Sequence, residues 1–176
     1  MTRLIIGLTG AAGSGKSAAA EFLRTVHGFR HTRFAGPLKA MIHALGVPWE
    51  CIDGDRKEEP LALLGGATAR VAMQTLGTEW GRELIHPDIW VRAWQVSLPM
   101  DDTPIVVDDV RFANESDIVR EMGGVVIEIK RPDLFMSEGG HASEAGLAGE
   151  PDYVITNDGT LDDLQSTLSR WRELIK

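Results

Sequence analysis

The sequence predicts an α/β fold: a parallel sheet of about five strands with helices on both faces. Three observations predict it. Short apolar runs rich in β-branched residues recur along the chain, and each is followed by a stretch of helical periodicity, the rhythm of strands joined by helical crossovers. Glycine and proline punctuate the gaps. The first run passes straight into a Gly-rich loop and an Ala-rich stretch, "LIIGLTGAAGSGKSAAA", in the order strand, loop, helix.

Leu4 to Leu8 is the first strand and Lys16 to Val26 the first helix, with another short strand near Arg30 to Phe34. Residues Pro37 to Met100 break the rhythm, because they hold only helical patterns. It resumes with the strand Ile105 to Val107, the helix Asn114 to Met122 and the strand Val125 to Ile129. Arg131 to Pro151 is a Gly-rich and Glu-rich excursion, after which Tyr153 to Ile155 is a strand and Leu161 to Leu174 a helix opened by the turn and cap residues of "NDGT". A parallel sheet presents ligands at the carboxyl ends of its strands. Long insertions at that end serve as binding arms or lids, and a plain surface loop is the alternative for the second one.

A chain of 176 residues with 43% hydrophobic and 25% charged residues fits one globular domain with an ordinary core. Its net charge of -8 argues against binding a nucleic-acid polymer or an anionic membrane, so any polyanion it handles should be small and met by local cations. Cys51 is the single cysteine, which excludes an internal disulfide and fits a structural role in a reducing compartment. No apolar run is long enough to be a signal segment or a membrane span, and a cytoplasmic protein is expected. A homodimer stays open.

Gly10, Gly15, Lys16 and Ser17 satisfy G-x-x-x-x-G-K-[ST] between a strand and a helix. Glycines let the loop Gly10, Ala11, Ala12, Gly13, Ser14, Gly15 curl so that its N–H groups point at the phosphates of ATP, aided by the positive end of the helix. Lys16 would reach the outer phosphates and Ser17 would offer its hydroxyl to Mg2+. A Gly-rich turn with an incidental lysine is the plain alternative. In "PIVVDDVRFANE" an apolar run ends in two carboxylates, where one can face the loop and hold the metal. Successive strand side chains point to opposite sides, so the duty is assigned to Asp109, on the side of Arg111, rather than to Asp108. That pair would position metal and phosphoryl group; the alternative is a salt bridge closing the strand.

With "GLTGAAGSGKS", "FAGPLK", "QTLGTEWGRELIHPDIWV", "DVRFANE" and "HASE" in that order, nearly the whole chain resembles the deoxynucleoside monophosphate kinases of bacteriophages and their relatives. The loop motif is generic, whereas "LGTEWGR" combined with "DVRFANE" is specific. The resemblance implies a single P-loop kinase domain over 1–176, with a helical acceptor-binding insertion at about 37–100 and a lid at about 131–150. It implies transfer of the γ-phosphoryl group of ATP to a deoxynucleoside monophosphate, with Mg2+, in the host cytoplasm if phage-encoded. One departure is Gly36, where such proteins commonly carry aspartate; any carboxylate role there is in doubt.

A monophosphate acceptor needs cations of its own, and Arg33, Lys39, Arg70 and Arg82 supply them among apolar neighbours. Arg70 and Gln74 are four apart and share one face of a helix, for a phosphate and a base edge. Trp80, Trp90 and Trp94 could stack a base or simply form a core. Lys39 sits near a helix start, where a cation opposes the dipole and would be present for a phosphate, or be a solvated surface lysine. Arg131 would be the lid arginine, with Pro132, Gly139 and Gly140 shaping its hinge. "HASE" places His141 and Glu144 at helix spacing without a zinc pattern and would open a short helix. Asn157 would contact the adenine of ATP or serve the turn. A P-loop kinase of another small phosphorylated metabolite, or a non-catalytic nucleotide-binding module, remains the alternative function.

Overall fold

The computed structural model describes residues 3–132 and 149–174. They divide into two compact units, one of Met1–Arg33 with Pro99–Lys176 and the other Phe34–Leu98.

In the first unit five strands form one parallel sheet: β1 (Ile5–Thr9), β2 (Arg30–Thr32), β3 (Ile105–Val107), β4 (Val125–Lys130) and β5 (Tyr153–Thr156), in the order β2-β3-β1-β4-β5. β1 is central and wholly buried, as a strand covered on both faces should be. Ile6 and Leu8 of β1 join Val106, Ile127, Ile129 and Ile155 in a core with Ala19, Ala20, Phe22 and Leu23 of helix α1 (Lys16–His27) and Leu164, Leu168 and Trp171 of helix α7 (Leu161–Leu174). Gly7 turns to the other face. A Cβ there would stand 2.9 Å from Val110 and 3.5 Å from Val119 of helix α6 (Ala113–Glu121), so the missing side chain lets that helix lie close to the sheet. Burying each Leu or Ile here contributes about 1.5 to 3 kcal/mol.

The topology decides where chemistry can occur. β1 pairs with β3 from Ile5↔Ile105 to Gly7↔Val107, so the loop after Thr9 and the turn after Val107 leave the sheet side by side, at its carboxyl edge.

The second unit is helical: α2 (Gly36–Ala44), α3 (Trp49–Ile52), a 3₁₀ turn (Ala62–Leu64), α4 (Ala69–Thr75), a π-helical segment (Leu76–Ile85) and α5 (Ile89–Ser97). Its core holds Ile42, Val47, Cys51, Ile52 and Ala69, with Leu61, Leu64, Met73 and Leu76 against them. The wide helical segment has a local cause. Trp90 donates its indole N–H to Gly77 O at 2.8 Å and lies so near Gly81 that a Cβ there would be 2.6 Å from the ring, while His86 N–H reaches five residues back to Gly81 O. Among the described residues no helix is long and apolar enough to cross a membrane.

Candidate active site

The loop after β1 curls by using conformations that only glycine adopts readily. Gly10 has φ 131° and Gly15 φ 111°, and a Cβ on Gly10 would lie 2.3 Å from Ile129 O. Gly15 caps α1 without a side-chain cap, and the first turn of that helix carries no acidic residue of its own, so its positive end is presented to the loop. Lys16 folds back over the loop and donates to Gly10 O at 2.7 Å and Ala11 O at 2.8 Å. Burial pushes its ammonium below the usual lysine value and the nearby Arg111 pushes the same way, against the pull of Asp108 and Asp109. Two cations that repel one another beside an uncapped helix start are relieved by a polyanion.

The strand-end carboxylates are distinguished by their contacts. Asp108 meets the Ser17 hydroxyl at Oδ2, 3.4 Å away. It is only 5% exposed, and Arg33 Nε donates to its Oδ1 at 3.0 Å. His31 Nε2 stands 2.9 Å from the same oxygen without the alignment of a full hydrogen bond. Asp109, to which strand alternation assigned the metal, is half-buried beside it and is felt by Lys16. β3 ends at Val107, so both aspartates lie past the last paired residue and alternation no longer fixes their direction.

Burial alone would raise the Asp108 carboxyl, but His31 and Arg33 outweigh it and hold the group at about 2 against an ordinary 3.8. A depressed carboxylate stabilises the fold above its unfolded value and loses that contribution as pH falls toward its folded one. Acid titration of unfolding free energy is therefore expected to show about 2.5 kcal/mol lost progressively between about pH 5 and pH 1 that is absent from Asp108→Asn. Parallel curves for the two proteins would contradict the pairing.

Two further residues hold the site. Glu115, buried at the start of α6, accepts from the backbone N–H groups of Arg111 (2.8 Å) and Phe112 (3.1 Å) and so fixes the turn that carries Arg111. Asn157, after β5, donates from Nδ2 to Ser14 O at 2.8 Å. Sequence reading saw Glu115 only as part of a motif and gave His31 no role. A Glu at the third position of a helix can reach back to the backbone N–H groups that precede it, and that position is the signal for Glu115; nothing local marks His31, which reaches Asp108 because β2 pairs with β3.

The expected acceptor residues sit in ordinary structural company. Lys39 donates to Asp53 at 2.6 Å, and Arg70 is paired with Glu58. Arg70 and the half-buried Gln74 share α4. Arg33 belongs to the sheet unit, against Asp108. Trp90 is buried at 4% exposure, whereas Trp80 is 38% exposed with its ring 6.2 Å from that of Trp90. A Cβ at Gly36 would meet nothing within 4 Å. Arg131 is exposed just past β4. The rest of the expected lid, with Gly139, Gly140, His141 and Glu144, lies outside the described residues.

The profile of the family described as "Deoxynucleotide monophosphate kinase" matches residues 66–168, more than half of the chain. A protein of Acanthamoeba polyphaga mimivirus, provisionally named as such a kinase, is 35% identical over 94% of this chain and 94% of its own. The deoxynucleotide monophosphate kinase of Enterobacteria phage T4 is 44% identical over 57% of this chain but only 44% of its own length. Among solved structures, a Thermus thermophilus protein covers 100% of both chains at 19% identity and TM-score 0.55. The dephospho-CoA kinase from Campylobacter jejuni covers 99% of this chain and 98% of its own at 13% identity and TM-score 0.54. These two likenesses concern the fold alone.

Proposed function

The chain belongs to the deoxynucleotide monophosphate kinase family, and from that premise we propose that it moves the γ-phosphoryl group of ATP onto a deoxynucleoside 5′-monophosphate, leaving ADP and the diphosphate. Nucleotide monophosphate kinase activity and ATP use go with the family. The metal and the residue roles that follow are the proposal. The observation that carries it is the pair of mutually repelling cations, Lys16 and Arg111, over the uncapped start of α1.

Donor phosphates would lie on the loop from Gly10 to Gly15, with Lys16 exchanging the Gly10 and Ala11 carbonyls for phosphate oxygens. Arg111, held by the Glu115 turn, would face the equatorial oxygens of the group in flight, where charge collects. Ser17 and Asp108 offer one hydroxyl and one carboxylate close together, a donor set that fits a magnesium ion arriving with phosphates and keeping its own water. When bound, magnesium neutralises charge on the β- and γ-phosphates. Asp109 would tune Lys16 and orient the incoming acceptor oxygen, and Arg131 would serve as the cation of a lid at about 131–150.

For the acceptor we assign the phosphate to Arg70, supported by Lys39, and the base to Gln74 with Trp80, whose indole is accessible while Trp90 packs beside it. Arg70→Ala should then raise the KM for the monophosphate about tenfold to a hundredfold, the loss of a charge-assisted hydrogen bond worth roughly 1.5 to 3 kcal/mol. Calorimetric titration with each ligand alone checks it. ATP-analogue affinity should hold; a fall in that affinity with monophosphate binding intact would move Arg70 to the donor side.

ADP release with a panel of deoxynucleoside monophosphates, ribonucleoside monophosphates and phosphorylated sugars tests the function. Deoxynucleotides are expected to give the highest kcat/KM, and preference for a non-nucleotide would transfer the chain to another class of kinase.

A further inference from the structure

We propose that Asn157 is a positioning residue for the phosphate-binding loop: its side-chain amide holds the Ser14–Gly15 peptide so that the Gly15 N–H faces the donor phosphates. Asn157 is 9% exposed, and its Nδ2 donates to Ser14 O at 2.8 Å across 143 residues of sequence. Its backbone is anchored too, since Asn157 N–H donates to Lys130 O at 2.7 Å, at the end of β4. The contact depends on glycine at the next position. A Cβ on Gly15 would stand 2.6 Å from Nδ2, so any side chain there would push the amide away.

The consequence follows from peptide geometry. In a trans peptide the carbonyl and the following N–H point in opposite directions, and no cis bond occurs among the described residues. A donor seated on Ser14 O therefore fixes where Gly15 N–H points, which is away from Asn157. The peptide is flanked by glycines at positive φ, Gly13 at 78° and Gly15 at 111°. Such a stretch has much conformational freedom to lose on ordering its N–H groups around a phosphate. A buried pin on the peptide removes that freedom before the ligand arrives, which is preorganisation of the cradle. One N–H of the Asn157 amide is thus committed to the loop.

The inference rests on the donor-site reading, and the test separates the two. Calorimetry in one magnesium buffer compares a non-hydrolysable ATP analogue with inorganic tripolyphosphate, which has no base, for wild type, Asn157→Ala and the isosteric Asn157→Asp. Thermal melts identify the variants that remain folded. Asn157→Ala should weaken both ligands by the same factor, about tenfold, with the KM for the monophosphate unmoved. Asn157→Asp should weaken both further, because an acceptor oxygen then confronts Ser14 O, and it keeps the test available if the alanine variant does not fold. Loss of affinity for the ATP analogue alone would make Asn157 an adenine contact and overturn the proposal, as would unchanged affinity for both. A wild type that binds neither ligand would overturn the donor-site reading and the inference with it.

Discussion

Lys16→Ala is expected to slow phosphoryl transfer about a hundredfold to a thousandfold, the scale for losing one preorganised group that meets developing charge. The fold should survive. Lys16 lies outside the apolar core, and its two hydrogen bonds go to carbonyls of the same loop, so its removal costs about 1 kcal/mol for each and also relieves the repulsion from Arg111. Single-turnover transfer from labelled ATP, beside a thermal melt, measures both consequences. Near-normal transfer in a folded variant would remove the loop from the chemistry.

Asp108→Asn is the second large effect. The carboxylate is buried between Arg33 and His31 and faces Ser17, so the amide would remove the charge that pairs with Arg33 and the protein anion proposed for the metal. We expect transfer to fall by at least a hundredfold at ordinary magnesium, with partial recovery as magnesium is raised, and stability to fall by about 2 to 3 kcal/mol. Asp109→Asn, half-buried beside it, should lose activity without that magnesium dependence. Magnesium titrations of the two variants decide. If Asp109→Asn is the one rescued by magnesium, the metal belongs to Asp109.

The phosphate loop was legible because its chemistry is local: glycines, lysine and serine at fixed spacing between a strand and a helix leave little for tertiary contacts to decide. The alternation of elements was legible for a similar reason, and the strands came out within a residue or two of their apolar runs. The choice between Asp108 and Asp109 was not, because pairing of β3 stops at Val107 and the backbone past that point follows the turn that Glu115 ties down. The role of His31 and the partner of Asn157 were not legible for a different reason. Each meets its partner only after strands far apart in sequence pair, His31 through β2 and β3 and Asn157 through β4 and β5. The π-helical segment reads as ordinary helix in "LGTEWGR", since the need for the wider turn comes from Trp90, whose indole takes the Gly77 carbonyl.

The most direct measurement of the central claim follows the γ-phosphorus of ATP. With γ-labelled ATP, magnesium and a deoxynucleoside 5′-monophosphate, the label should appear as the β-phosphate of the deoxynucleoside diphosphate in step with ADP, and Lys16→Ala should slow both together by about a hundredfold to a thousandfold. Label recovered as inorganic phosphate, at a rate indifferent to the monophosphate, would show an ATPase and contradict the account.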